Sequence, residues 1–262
     1  DKNGRTNLFL GWAAVLMLAA SVLFTACPNA NATKTPESPT PKPKYTPVAY
    51  DKLAEYLANT ASATDVNYIE VTGLQAKHLK GNDSDEHDPK PSPLGAILQA
   101  HPTKKVALKL GGSVSALMPL CFYKCTSLVG VAAIPKGIKD MTDCFDSCTS
   151  LTQAPVLPES VTKMTGCFRD CTSLTKAPAI PKGVDDMKSC FASCTSLKEA
   201  PAIPKDVKDL KSCFASCINL TQAPAIPEGV KDMSYCFQNC TSLTKAPASI
   251  PASVENMSQC FE

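Results

Sequence analysis

The sequence is poor in imidazole, in aromatic side chains and in net charge. His78, His87 and His101 are its only histidines. That scarcity counts against histidine-ligated metalloenzymes and histidine-dependent hydrolases. Aromatic residues make up 6% of the chain, with a single Trp, Trp12. The 26 basic and 24 acidic residues leave a formal charge of +2, with no cationic surplus to neutralise phosphates, which argues against a nucleic-acid partner. The sequence has no glycine-rich phosphate loop and no nucleophile elbow. No catalytic residue, cofactor, metal ligand or small-molecule substrate is therefore assigned. An acidic cluster at Asp83, Asp85, Glu86, His87 and Asp88 lacks the Gly and terminal Glu of a calcium loop and reads as solvated surface.

What is abundant is cysteine, proline and aliphatic side chain: 14 Cys, 22 Pro and 44% hydrophobic residues in 262. A chain of this length can bury a sizeable core. At the N-terminus, Lys2 and Arg5 precede the uncharged, mostly apolar stretch Leu8 to Phe24. That is shorter than the ~20 residues of a membrane span and has the layout of a secretory signal. Its end, Leu23-Phe24-Thr25-Ala26-Cys27, resembles a bacterial lipobox in a loose, spirochaete-type form. The expectation is a lipoprotein signal peptide over residues 1–26 and acyl chains on Cys27, so that the exported protein is held on a membrane. Residues 28–47 contain six prolines and no large aliphatic residue. Such chain tends to an extended polyproline form, so residues 27–47 read as a tether.

From residue 121 the sequence is periodic. Cys-Phe pairs fall at Cys121, Cys144, Cys167, Cys190, Cys213, Cys236 and Cys260, and a second Cys follows at Cys125, Cys148, Cys171, Cys194, Cys217 and Cys240. Columns of Leu (Leu151, Leu174, Leu197), Val (Val161, Val184, Val207) and Met (Met164, Met187, Met233) keep the same period of ~23 residues, the signature of a solenoid. Within one unit, Met164, Cys167, Phe168, Cys171 and Leu174 lie at offsets that share one face of a helix. A short amphipathic helix per unit is the expectation, followed by a Pro-interrupted strand such as Leu174 to Pro181.

Units of the form L-x-x-A-P-x-I-P-x-x-V-x-x-M-x-x-C-F-x-x-C-x-x-L resemble the BspA-type leucine-rich repeat in its treponemal form. The resemblance covers Cys121 to Glu262, six complete units and the start of a seventh, so more repeats or a C-terminal domain are expected beyond Glu262. It departs from the commoner pattern at the Ala-Pro pair, where an apolar strand residue usually stands, which puts the strand ladder in question. The implied fold is an α/β solenoid, a leucine-rich-repeat array of ~23-residue units. Residues 48–120, with helices near 50–57 and 94–100 and strands near 68–74 and 105–110, read as an α/β N-terminal cap. The resemblance also implies a protein ligand, with host extracellular matrix or other cells as the targets of adhesion, at a bacterial cell surface. A coat protein without a dedicated ligand, or the binding part of a longer protein, is the alternative.

Two sets of side chains follow from the columns. Gln153, Lys176, Glu199, Gln222 and Lys245 are expected to project from the strand side as a candidate binding surface. Cys144, Cys148, Cys167, Cys171, Cys190, Cys194, Cys213, Cys217, Cys236 and Cys240 are expected to be core cysteines. On a helix, Cβ atoms at i and i+4 are ~5–6 Å apart, wider than a disulfide takes, and packed helices of neighbouring units sit ~8–10 Å apart. Free thiols are the favoured state and an intra-repeat disulfide the alternative.

Overall fold

The computed structural model describes residues 43–82, 88–111 and 118–262. The expected signal peptide over residues 1–26, Cys27 and all but the last residues of the expected tether lie outside the described residues, as do Asp83, Asp85, Glu86 and His87. Lys42–Glu262 forms one compact unit. Among the described residues no helix is long and apolar enough to cross a membrane.

The N-terminal part of this unit alternates strand and helix. Strand β1 (Thr46–Ala49) leads through a 3₁₀ turn into helix α1 (Leu53–Asn59), then come strand β2 (Asn67–Thr72), helix α2 (Pro93–Gln99), strand β3 (Val106–Leu110) and strand β4 (Leu128–Val131). All pairings are parallel in the order β1-β2-β3-β4, with Val48 beside Val71 and Ile69 beside Leu108. Alternation places Ile69, Val71, Val106 and Leu108 in the core and leaves Tyr68 outside. Helix α2 starts where Ser92 accepts the Gly95 N–H at 3.0 Å and Pro93 takes the first helical position. Gly95 is required there by close approach, since a Cβ would lie 2.3 Å from the Cys121 carbonyl oxygen. This contact docks α2 on the first repeat.

The repeat units do not contain the expected helices. The Met-to-Leu segment is instead a pair of successive β-turns, each with its third residue at positive φ. Asp143 (φ 50°) and Ser147 (φ 60°) occupy these places in one unit, and Ser189 (φ 54°) and Ser193 (φ 58°) in another. Backbone donors alternate in direction. Cys144, Asp146 and Cys148 donate back to Met141, Asp143 and Phe145, while Asp143, Phe145 and Ser147 donate across to Thr165, Cys167 and Arg169 of the next unit. A helix would satisfy every N–H within its own unit. The turns release alternate N–H groups to join each unit to the next. Helix and turn pair place the same residues inside, which is why apolar spacing alone did not separate them.

Close stacking follows. The Phe122, Phe145, Phe168, Phe191, Phe214, Phe237 and Phe261 rings form one offset stack, with centroids 5.2 to 5.7 Å apart. Neighbouring units are thus at strand spacing, not at the 8–10 Å of packed helices. The Met, Val and Leu columns are buried around the stack through the fifth unit. Along the return path the register is kept by parallel bridges Asp140–Lys163–Asp186–Asp209–Asp232–Asn256.

Beyond β4 the sheet gives way to isolated bridges such as Gly130–Gln153 and Gln222–Lys245. The Ala-Pro pairs account for this, because proline brings no N–H to a ladder. Hydroxyl groups take over part of the bonding: Thr152, Thr221 and Thr244 each donate through Oγ1 to a carbonyl one unit earlier.

Candidate binding surface

The proline strips set the geometry of the exposed face. Each strip runs from the buried Leu of its unit through Ala-Pro to a second proline. Its Leu and Ile enter the core or its margin; of the alanines and prolines, Ala179, Ala202 and Ala225 are exposed, Pro155, Pro181 and Ala223 are buried, and most others are half-buried. Gln153, Lys176, Glu199, Gln222 and Lys245 all lie two residues past that Leu and all are exposed. Gly130, the corresponding residue of β4, is buried. Bridges pair Gly130 with Gln153 and Gln222 with Lys245, and Lys176 and Glu199 border the same groove. Among the described residues none of the five makes an ion pair.

Beside this column lies an apolar floor that the column pattern alone did not mark as functional. Two grooves adjoin there. One runs between the strips at 154–159 and 176–181, the other between 176–180 and 199–202. A third hollow is lined by Ala133, Ile134, Val156, Leu157 and Pro158. Val156 is 70% exposed, the most exposed large aliphatic side chain described. In the neighbouring units its place is held by Ala133, Ala179 and Ala202. The recurrent Ala-Pro pair was the available signal for this floor, and it is the feature by which the units depart from the commoner repeat.

The cysteines sit elsewhere. The ten expected core cysteines are free thiols; nine are buried and Cys240 is half-buried. The second Cys of each pair donates its S–H to the Phe carbonyl of the preceding unit, as Cys171 does to Phe145 at 3.1 Å and Cys194 to Phe168 at 3.0 Å. Burial pushes these thiols up, away from thiolate, so they lack the activated character of a catalytic cysteine. Polar side chains also meet across units: buried Asp146 pairs with Arg169, which also reaches Asp143 at 3.4 Å, and the Thr165 hydroxyl donates to Asp186 at 2.8 Å.

The BspA type leucine-rich repeat region is matched in six copies, over residues 104–221 and 167–262. The chain belongs to the BspA-type leucine-rich-repeat family. Two solved structures are similar to it. The T. pallidum leucine-rich repeat protein shares 24% identity over 59% of this chain and 76% of its own, with a TM-score of 0.47. A leucine-rich repeat protein from Bacteroides ovatus ATCC 8483 shares 25% identity over 56% of this chain, with a TM-score of 0.49; the match spans 38% of that chain. No curated protein matches the sequence. Leucine-rich-repeat arrays in general present extended surfaces for binding other proteins, and the BspA-type array here presents the strip face described above.

Proposed function

We propose that this BspA-type chain is a lipid-anchored bacterial surface protein that binds other proteins through its proline-strip face, with adhesion to host matrix or to other cells as the outcome. The observation that carries the reading is the juxtaposition on one face of unpaired polar side chains, Gln153 to Lys245, with an apolar floor crowned by Val156. Interfaces combine an apolar centre with a polar rim in this way. Export and anchoring rest on the sequence alone, on the apolar stretch ending at Cys27 and the proline-rich tether after it. On this reading residues 48–120 cap the array and the molecule is a binder without catalysis.

Capture of matrix proteins by the immobilised full chain tests the binding face. Loss of capture in Val156→Asp and in Glu199→Lys, with unchanged thermal melting, is the expected result. Undiminished capture by both variants would assign adhesion elsewhere, and no capture by the parent chain would favour a coat protein. Metabolic fatty-acid labelling tests the anchor: label is expected on the parent protein and not on Cys27→Ala.

A further inference from the structure

The two columns of thiols differ in what their sulfurs touch. In the second column, Cys148, Cys171, Cys194 and Cys217 each hold a Phe carbonyl of the preceding unit at 3.0 to 3.1 Å. In the first column, burial pushes the Cys144 thiol well up from the ordinary value, and its side-chain hydrogen bond to Cys121, one unit earlier, adds to that. The backbone brings these two residues together. The Leu120 N–H donates to Thr142 at 2.9 Å and the Phe122 N–H to Cys144 at 2.8 Å. Residues 120–122 and 142–144 therefore run side by side at about the spacing of paired strands, ~4.8 Å. The Phe122 and Phe145 rings that follow lie 5.2 Å apart, the shortest step of the stack. A disulfide takes Cα atoms about 4.4–6.8 Å apart. The ~8–10 Å between packed helices, which excluded a bridge between units, does not apply to turn pairs at strand spacing. Cys121 is also fixed to the N-terminal part: the Ser92 hydroxyl at the start of α2 donates to the Cys121 carbonyl at 2.9 Å and lies 3.5 Å from its sulfur.

We propose that Cys121 and Cys144 are a disulfide site that ties the first repeat to the second when the chain folds in contact with a disulfide oxidant of the glutathione class. One thiolate attacks the oxidant and releases one of its thiols, leaving a mixed disulfide. The other cysteine then displaces the second thiol. One S–S bond forms in the protein, the oxidant's S–S bond breaks, and two electrons and two protons leave with the two released thiols. Both sulfurs are buried in the folded chain, so the exchange belongs to folding, before the units close, and the closed core then shields the bond from reduction. The site is separate from the proposed binding face, and the proposed export would bring the folding chain to oxidising surroundings.

Refolding of the full chain from urea, with and without a mixture of oxidised and reduced glutathione, tests this. Free thiols are alkylated and the chain is digested with chymotrypsin, which cuts after Phe145 and so separates Cys144 from Cys148. A peptide linking Cys121 to Cys144 is expected as the main bridged species, and only in the oxidised sample. Closing a loop of about 23 residues should raise the melting temperature by about 5 °C, and reductant added during refolding should remove the rise. Cys121→Ala should abolish both the link and the rise, whereas Cys171→Ala, in the second column, should leave both. If Cys121→Ala does not fold, the peptide map of the parent chain decides by itself. A dominant Cys144–Cys148 or Cys121–Cys148 bridge would overturn the inference. So would oxidative refolding to a native melt with every thiol free, or oxidation that prevents the cooperative melt altogether, since the core would then require thiols at both positions.

Discussion

The second cysteine of each pair shows why a thiol suits this core better than a smaller apolar group. Its S–H reaches the carbonyl of the Phe one unit earlier, and that carbonyl already accepts a backbone N–H, as Phe168 does from Cys171. The thiol therefore fills a small site and adds a weak bond without leaving an orphan if it is lost. Burial makes the same groups sensitive to alkali. Cys240, half-buried near the end of its column, is pushed up to about 11 from an ordinary value near 9 by desolvation, and burial pushes the fully buried thiols well up too. A folded-state pKa above the unfolded one means that the native state holds its proton more tightly. The stability this represents is complete below about pH 8.5 and is lost as pH rises. The urea midpoint of the chain is expected to be flat below that value and to fall between about 9 and about 11 as Cys240 ionises. A midpoint that does not change across this window would mean that the thiols are already exposed or bridged.

At the scale of the element, the apolar columns were legible in the sequence and the backbone that carries them was not. Met, Cys, Phe, Cys and Leu face inward on a helix and on a turn pair alike. The distinguishing residues are those at positive φ: in the central units these are Asp143, Gly166, Ser189 and Ser212 in one column and Ser147, Asp170, Ser193 and Ser216 in the other, whereas in the outer units the same places hold Leu120, Tyr235 and Gln259, and Lys124 and Asn239. Small polar residues such as those of the central units tolerate the left-handed region, so the signal was present there as a composition of two outer columns. The strip side was legible in part. Proline predicted an interrupted ladder, while the depth of the floor and the exposure of Val156 depend on how strips from different units lie together. Gly166 tests the turn assignment. Its φ is +57°, and a Cβ there would lie 2.0 Å from Oδ1 of Asp143, the residue one unit earlier in the same column. Gly166→Ala is expected to cost ~1–2 kcal/mol in denaturant melts, whereas the helix assignment would make it stabilising by ~1 kcal/mol. The Phe stack tests the core in the same units. Phe191 packs between Phe168 and Phe214, and Phe191→Ala should cost ~3–5 kcal/mol; a loss under ~1 kcal/mol would remove it from the core.

Over the whole molecule, each unit is held mainly by its neighbours, so register matters more than the identity of any one unit. The cross-unit bonds run from Phe145 to Cys167, Phe168 to Cys190, Phe191 to Cys213 and Phe214 to Cys236, an unchanging step. The last step, from Cys236 to Cys260, is 24 residues where the others are 23, through one extra residue in Ala248-Ser249-Ile250-Pro251; it is absorbed on the strip side, since Asp232 still bridges Asn256 and Phe237 still stacks on Phe261. Insertions are thus tolerated where proline has already broken the ladder, and the turn face admits none without misaligning its alternating donors. Removing residues 190–212 takes out one whole unit and joins Ser189 to Cys213, so every column closes again with the Phe168 ring on Phe214. That variant is expected to fold and to melt cooperatively, with a modest loss of stability because one nearest-neighbour interface is gone. Removing residues 190–211 instead leaves Ser212 as an extra residue inside the first turn, after Ser189. The Cys-Phe pair behind it would be carried out of line with its neighbours, its buried thiol and ring would face solvent, and the donors of one unit would miss the acceptors of the next. Loss of the cooperative melt in the second deletion and its retention in the first, measured by calorimetry on the two chains side by side, is the expected outcome. Equal stability of the two would show that the units are not locked in register through the turn face.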